Sequence, residues 1–161
     1  MNGYLLDTDH CIKILNGDPI VMKHMATPEE LAVGTCVFVE GELIFMALKS
    51  DRRESNLIRI GALLDRVRVY SADRESARAY AQLKIGVVQR FGPRARVKRH
   101  GFRIETVGLR DNDLWIAALA LRYELTLVSA DTDFERLAQV GELRLEKWWS
   151  PEDGTLSSHG G

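Results

Sequence analysis

Tyr4-Leu5-Leu6-Asp7-Thr8-Asp9 decides how the rest of the chain is read. Leu5 and Leu6 are apolar, as expected of a short buried strand, and the run stops at a carboxylate. Thr8 and Asp9 are good helix N-caps. Cys11, Ile12, Ile14 and Leu15 then follow at helical spacing. A strand, an acid at its carboxyl end and a helix is the layout of a ligand site in an open α/β sheet. The question this poses is which other carboxylates converge on Asp7.

A similar pattern recurs along the chain. Asp18-Pro19 predicts a capped second helix to about Ala26, and Thr27 to Glu30 a connection. Residues 31–37 read as a second strand. From Phe38 to about Ser50 the chain is apolar nearly all round, which predicts a buried helix. Asp51 to Ser55 is a polar link before a helix carrying Ile58, Leu63 and Leu64. Val67 to Tyr70 is a third strand, and Ser71-Ala72-Asp73 caps a long helix with Tyr80, Leu83 and Val88 on it. Residues 111–121 are a helix with Asp111 as the expected cap, and 125–129 a strand. Thr132 with Glu135 fits a capping box for a short helix to about Val140. Leu143 to Glu146 is a last strand. Alternating strands and helices predict a parallel sheet covered on both faces. We expect one domain over 1–150, with 151–161 as a flexible tail.

Composition narrows the function. The formal net charge of the 161 residues is −1, so the molecule as a whole is not a basic nucleic-acid binder. Charge is nonetheless segregated. From Gln89 to Arg110 the basic residues are Arg90, Arg94, Arg96, Lys98, Arg99, Arg103 and Arg110, and Glu105 is the only acid. The two cysteines, Cys11 and Cys36, have no metal-ligand spacing and read as core thiols. The start has neither the basic nor the apolar region of a secretory signal. No run reaches the roughly 18–20 apolar residues of a membrane helix. A cytoplasmic, membrane-free protein is the expectation.

The carboxylates carry the chemistry. Asp7 ends a strand whose following helix already has two caps on offer. Glu42 lies among Phe38, Val39, Phe45 and Met46, none of which can pair with it; Glu40 has equally apolar neighbours. Asp113 stands in the first turn of its helix, where acids are favoured on electrostatic grounds alone. Asp131 leaves the 125–129 strand as Asp7 leaves the first, and Asp133 follows it. His10, His24, His100 and His159 are scattered and read as ordinary. An acid-only set suits a hard cation, Mg²⁺ or Mn²⁺, which also relieves the repulsion among the carboxylates. Metal-assisted hydrolysis of a phosphodiester fits such a set.

With these residues in place, the sequence resembles the PIN-domain ribonucleases, and among them the VapC-type toxins of type II toxin–antitoxin systems. The resemblance rests on Leu5-Leu6-Asp7-Thr8-Asp9, Glu42-Leu43, Asn112-Asp113-Leu114-Trp115-Ile116-Ala117-Ala118 and residues 127–134, in that order. It implies a PIN-like three-layer α/β/α fold around a mainly parallel sheet of four or five strands. It also implies that the first strand lies beside the one ending at Ser129, so that Asp7 and Asp131 face each other. By motif, Asp7, Glu42, Asp113 and Asp131 become the catalytic quartet that holds Mg²⁺ or Mn²⁺, with Asp133 as a further candidate. The Glu-Leu pair selects Glu42 over Glu40, and Asp9 becomes a cap or outer residue. The implied activity is an endoribonuclease acting as a toxin, with an RNA substrate, a cognate antitoxin and a homodimeric state.

The stretch 89–110 departs from compact members as an insertion or extended loop. Arg94, Arg96, Lys98 and Arg99 are its candidate RNA contacts; a solvated loop or an antitoxin surface is the alternative. Other readings are an RNA-processing PIN nuclease without an antitoxin and a catalytically silent PIN module. The Asp7-Thr8-Asp9 start is also similar to haloacid dehalogenase-like phosphatases. Those carry Thr or Val where Cys11 stands, and they leave Glu42 and Asp113 unexplained.

Overall fold

The structure, a computed structural model, describes residues 3–26 and 32–154. The connection expected at 27–30 and the end of the expected tail lie outside them. Within the described residues five strands form one sheet: β1 (Tyr4–Leu6), β2 (Val33–Cys36), β3 (Arg68–Tyr70), β4 (Thr126–Val128) and β5 (Leu145–Glu146). Their order is β3-β2-β1-β4-β5 and every pairing is parallel. The chain builds outward from β1 to β3, then returns to the other side of β1 for β4. The register sets Leu5 opposite Leu127 and Leu6 opposite Val128. This is the expected three-layer fold, with β1 beside β4.

Among the described residues seven α-helices flank the sheet: α1 (Thr8–Leu15), α2 (Pro19–Met25), α3 (Val37–Leu48), α4 (Arg53–Leu64), α5 (Arg74–Phe91), α6 (Asp111–Arg122) and α7 (Thr132–Leu137). One group packs α1 against α2, α3 and α4; another packs α6 against α5 and α7. The core is continuous through the sheet. Leu5, Leu6, Leu127 and Val128 are buried, as are Leu114, Leu119 and Leu137 from the helices. Cys11 and Cys36 are buried core thiols, and burial first of all pushes them up to about 12 and about 11. Trp148 closes the core beside β1, edge-on to Tyr4 and stacked on His24. Among the described residues no helix is long and apolar enough to cross a membrane.

Several helix starts are as read. Asp18 accepts from Ile20 and Val21 ahead of Pro19. Asp73 and Ser76 form a reciprocal capping box on α5. Three others differ. Asp7 itself caps α1, accepting from His10 N–H, so Thr8 and Asp9 fall inside the first turn. Asp131 caps α7 through Asp133 N–H, and Thr132 is the first helical residue rather than the cap. The N-cap of α6 is Arg110, without a side-chain cap bond, and Asp111 is inside the helix. In each case the helix begins one or two residues earlier than its best capping residue suggests; for α1 and α7 the end of the preceding strand fixes where the chain must turn, and for α6 the turn at Gly108 does.

The prediction that α3 is buried all round is overturned. Val39, Leu43 and Ala47 face the core, at spacings of four, but Phe45, Met46 and Leu48 are exposed. The helix is amphipathic in position though not in composition. Its apolar outer face could not be separated from its inner face by hydrophobic pattern alone.

A candidate acidic active site

The carboxyl edge of the sheet, between β1 and β4, is where strand order reverses, the usual place for a ligand in an open α/β sheet. Asp7 N–H donates to Val128 O at 3.1 Å, which extends the β1–β4 pairing to the acid itself. Thr35 Oγ1 donates to Leu6 O at 2.9 Å and fixes β1 from the other side. Asp131 follows β4 by a turn in which its N–H donates to Ser129 Oγ. Asp113 comes from the first turn of α6, and Glu42 from the middle of α3.

These residues share a cavity of about 40 Å³, lined also by Thr8, Asp9, Arg110, Ile116 and Phe134. The four acids expected from the sequence are therefore brought together. Larger cavities lie elsewhere and contain none of them. Glu40 does not line this cavity. Carboxylate oxygens of Asp113, Asp131 and Asp133 lie within 4.8 Å of one another, close enough to share one cation. Asp133 thus belongs to the tightest cluster, although its place in the first turn of a helix gives it an ordinary structural reading. Asp133 Oδ1 also accepts from Arg136 at 3.4 Å.

Asp7 is 4 % exposed and Asp113 1 %. Burial in the first place raises the Asp113 carboxyl above the ordinary range; Arg110 opposes this, and Asp131 and Glu42 add to it. Asp9, at the rim, is raised by lost hydration, then by Asp7 and Asp131. The acids therefore penalise one another's charge, which is the electrostatic demand for a cation. The donors are all oxygen, and their chemistry fits Mg²⁺ or Mn²⁺.

Sequence reasoning missed four contributors. His10, read as ordinary, is fully buried; its Nδ1 and its backbone N each lie 2.9 Å from Asp7 Oδ1. With Nδ1 protonated the ring donates to Asp7 and fixes its rotamer, and among the described residues His10 Nε2, buried, has no hydrogen-bond partner. Thr8 Oγ1 donates to Glu42 Oε2, and Asn112 Nδ2 donates to Glu42 Oε1 at 2.5 Å. Polar partners from other elements thus reach Glu42, which its own helix could not supply. The fourth is Arg110, whose guanidinium lies on Asp113. Its spacing of three ahead of Asp113 was the available signal. Beside the site, Trp115 is stacked between Phe38 and Tyr80, with ring centroids 5.3 and 4.1 Å away.

Residues 89–110 comprise the end of α5, then two short 3₁₀ turns, Arg96–Gly101 and Ile104–Val107. Arg94, Arg96 and Lys98 are exposed, while the half-buried Arg99 donates through Nε to Pro93 O. Ile104 and Leu109 are buried and tie the segment down. Gly108, at φ 80°, takes the left-handed turn between them that leads Arg110 to the site.

Comparison with known proteins agrees with the architecture. A chain of the VapBC2 complex of Rickettsia felis, solved with a promoter DNA fragment, matches at TM-score 0.74. Its identity is 22 % over 92 % of this chain and 100 % of that one. A chain of DNA-bound VapBC from Salmonella typhimurium matches at 0.73, with 23 % identity over 92 % and 100 %. VapBC-5 of Mycobacterium tuberculosis, a toxin–antitoxin system, matches at 0.55, with 26 % identity over 91 % and 96 %. No curated protein matches the chain. The PIN domain model matches residues 4–140, from β1 through the end of α7, and the chain belongs to the PIN domain family.

Proposed function

We propose that this protein is a Mg²⁺- or Mn²⁺-dependent endoribonuclease, the toxin of a type II toxin–antitoxin pair. The observation that carries this is the convergence of Asp7, Glu42, Asp113 and Asp131 at the carboxyl edge of the sheet, with Asp133 beside them. A bound divalent cation supplies Lewis acidity toward a phosphodiester and a more acidic water. The chain's part is to hold that cation and to exclude others. Asp113, Asp131 and Asp133, whose carboxylate oxygens lie within 4.8 Å of one another, would hold it, with Asp7 and Glu42 completing the set. His10 fixes Asp7; Thr8 and Asn112 fix Glu42. The reading includes a cytoplasmic protein, a single domain over 1–150, a homodimer and an antitoxin partner. The matched VapBC complexes support the partner.

The RNA class is supported by a matched chain under 25 % identical, the Mycobacterium tuberculosis VapC20, described as a sarcin–ricin loop cleaving toxin. Arg94, Arg96, Lys98 and Arg99 are proposed to contact RNA phosphates. Reversing Arg94, Arg96 and Arg99 to Glu should weaken RNA binding and flatten its salt dependence; unchanged binding removes that contact strip. The central test is cleavage of structured RNA with Mn²⁺ by the wild type and by Asp7→Asn. Metal-dependent cleavage lost in the variant, with its melting temperature kept, supports the reading. Equal activity in both sinks it.

A further inference from the structure

Arg110 brings a positive charge to the edge of a site made of carboxylates. This residue stands at the N-cap of α6, where its carbonyl accepts from Asp113 N–H at 3.1 Å. Its side chain turns over the same helical turn. Nη2 donates to Asp113 Oδ1 at 3.0 Å, Nε donates to Asp113 Oδ2 at 3.2 Å, and Nη1 lies 3.8 Å from Glu42 Oε1. One planar fork therefore engages both oxygens of the most buried acid in the site. The two partners differ in setting: the Arg110 side chain is 63 % exposed and that of Asp113 1 %. The acid is buried, and the arginine that grips it is open to solvent.

We propose that Arg110 is a phosphate-contacting residue with two stations, Asp113 in the cation-free protein and the scissile phosphate once a cation claims Asp113. The proposal deepens the nuclease reading and rests on it. The first station follows from charge. A guanidinium and a divalent cation on one carboxylate repel each other, so each weakens the other's hold. The second follows from tethering. Arg110 stays protonated at any working pH, and its backbone is pinned at the helix start beside the pocket. A side chain displaced from Asp113 remains within reach of the pocket mouth. The partner that suits it there is a pair of phosphate oxygens, which the fork matches as it matches a carboxylate. Five donors aimed where negative charge gathers are of most use in the transition state.

The test compares wild type with R110Q and R110K. Mn²⁺ binding to the RNA-free protein is followed by calorimetry, and RNA cleavage is timed in single turnover at saturating Mn²⁺. For R110Q we expect tighter Mn²⁺ binding together with cleavage slower by on the order of a hundredfold, the cost of one lost charge contact in a transition state. R110K keeps the charge without the fork and should fall between the two in both measurements. Tighter Mn²⁺ binding with cleavage unchanged or faster makes Arg110 a resting counter-ion only and overturns the second station. Unchanged Mn²⁺ affinity overturns the first. A wild type that binds Mn²⁺ and cleaves no RNA overturns the nuclease reading itself, and the phosphate station with it. Should R110Q fail to fold, R110K decides through the same two measurements.

Discussion

Asp111 and Asp113 stand two residues apart in the first turn of α6, and their surroundings are opposite. The Asp111 side chain is 46 % exposed; it accepts from Tyr80 Oη at 2.5 Å and from Lys84 Nζ at 2.8 Å, both on α5. Asp113 is buried among other acids, and among the described residues its one cationic partner is the exposed Arg110. Asp111 belongs to the seam between α5 and α6, where Asp73 is likewise held by Arg122 at 2.8 Å. In that seam Asp111 is paired with Lys84, and Asp73 shares Arg122 with Glu75. At the carboxyl edge of the sheet, carboxylates outnumber bases, and burial raises rather than lowers the Asp113 carboxyl. Acids at a helix start are thus of two kinds. Local sequence cannot separate them, because what separates them is the charge balance contributed by other elements.

The comparison can be broken most directly by exchanging the two acids for amides. Asp113→Asn should abolish metal-dependent RNA cleavage with the fold retained, and Asp111→Asn should leave it near wild type. Comparable loss in both would mean that the seam is part of the site. Next in size is stabilisation by the cation. Mn²⁺ at about 100 times its dissociation constant should add about 2.7 kcal/mol to wild type and to Asp111→Asn, but little to Asp113→Asn; thermal melts with and without Mn²⁺ report this. Smaller is the worth of the seam itself. With Asp111 and Lys84 both nearly half exposed and screened by solvent, Asp111→Asn should cost about 0.2–1 kcal/mol in denaturant unfolding. A cost of several kcal/mol would show that the seam is not merely a surface ion pair.

The smallest effect is in pH. The Asp73 carboxyl is held down at about 2, first by Ser76 N–H, then by the Ser76 hydroxyl and by Arg122. A carboxyl lower in the folded than in the unfolded chain adds stability that is present above its ordinary value and lost as pH falls through the folded one. The deficit of Asp73→Ala against wild type should therefore be full at pH 7 and shrink between about pH 4 and pH 2. Melts across that range should show the gap narrowing; a constant gap would assign Asp73 a purely steric role.

Much of this was readable in the chain. Leu5-Leu6-Asp7 and the strand before Asp131 mark two parallel strands by their apolar runs and the acids that end them, and the expected quartet does meet. What was unreadable depended on partners distant in sequence. His10 looks like any helical histidine until α1 is packed and its Nδ1 faces Asp7. Glu42 looks stranded until Thr8 and Asn112 arrive from α1 and α6. The exposed side of α3 is as apolar as its buried side, so composition favoured burial where Phe45 faces solvent.

The position of β1 in the sheet has a consequence in time. β1 is the central strand, and its neighbour on one side, β4, lies more than 110 residues further along the chain. Asp7 therefore emerges early and waits for Asp113, Asp131 and Asp133. At roughly 5–20 residues per second of synthesis, that wait lasts on the order of 6–25 seconds. A nascent or prematurely ended chain lacking β4 has the first acid without its companions. The acidic site is complete only once the chain has been made through Asp133.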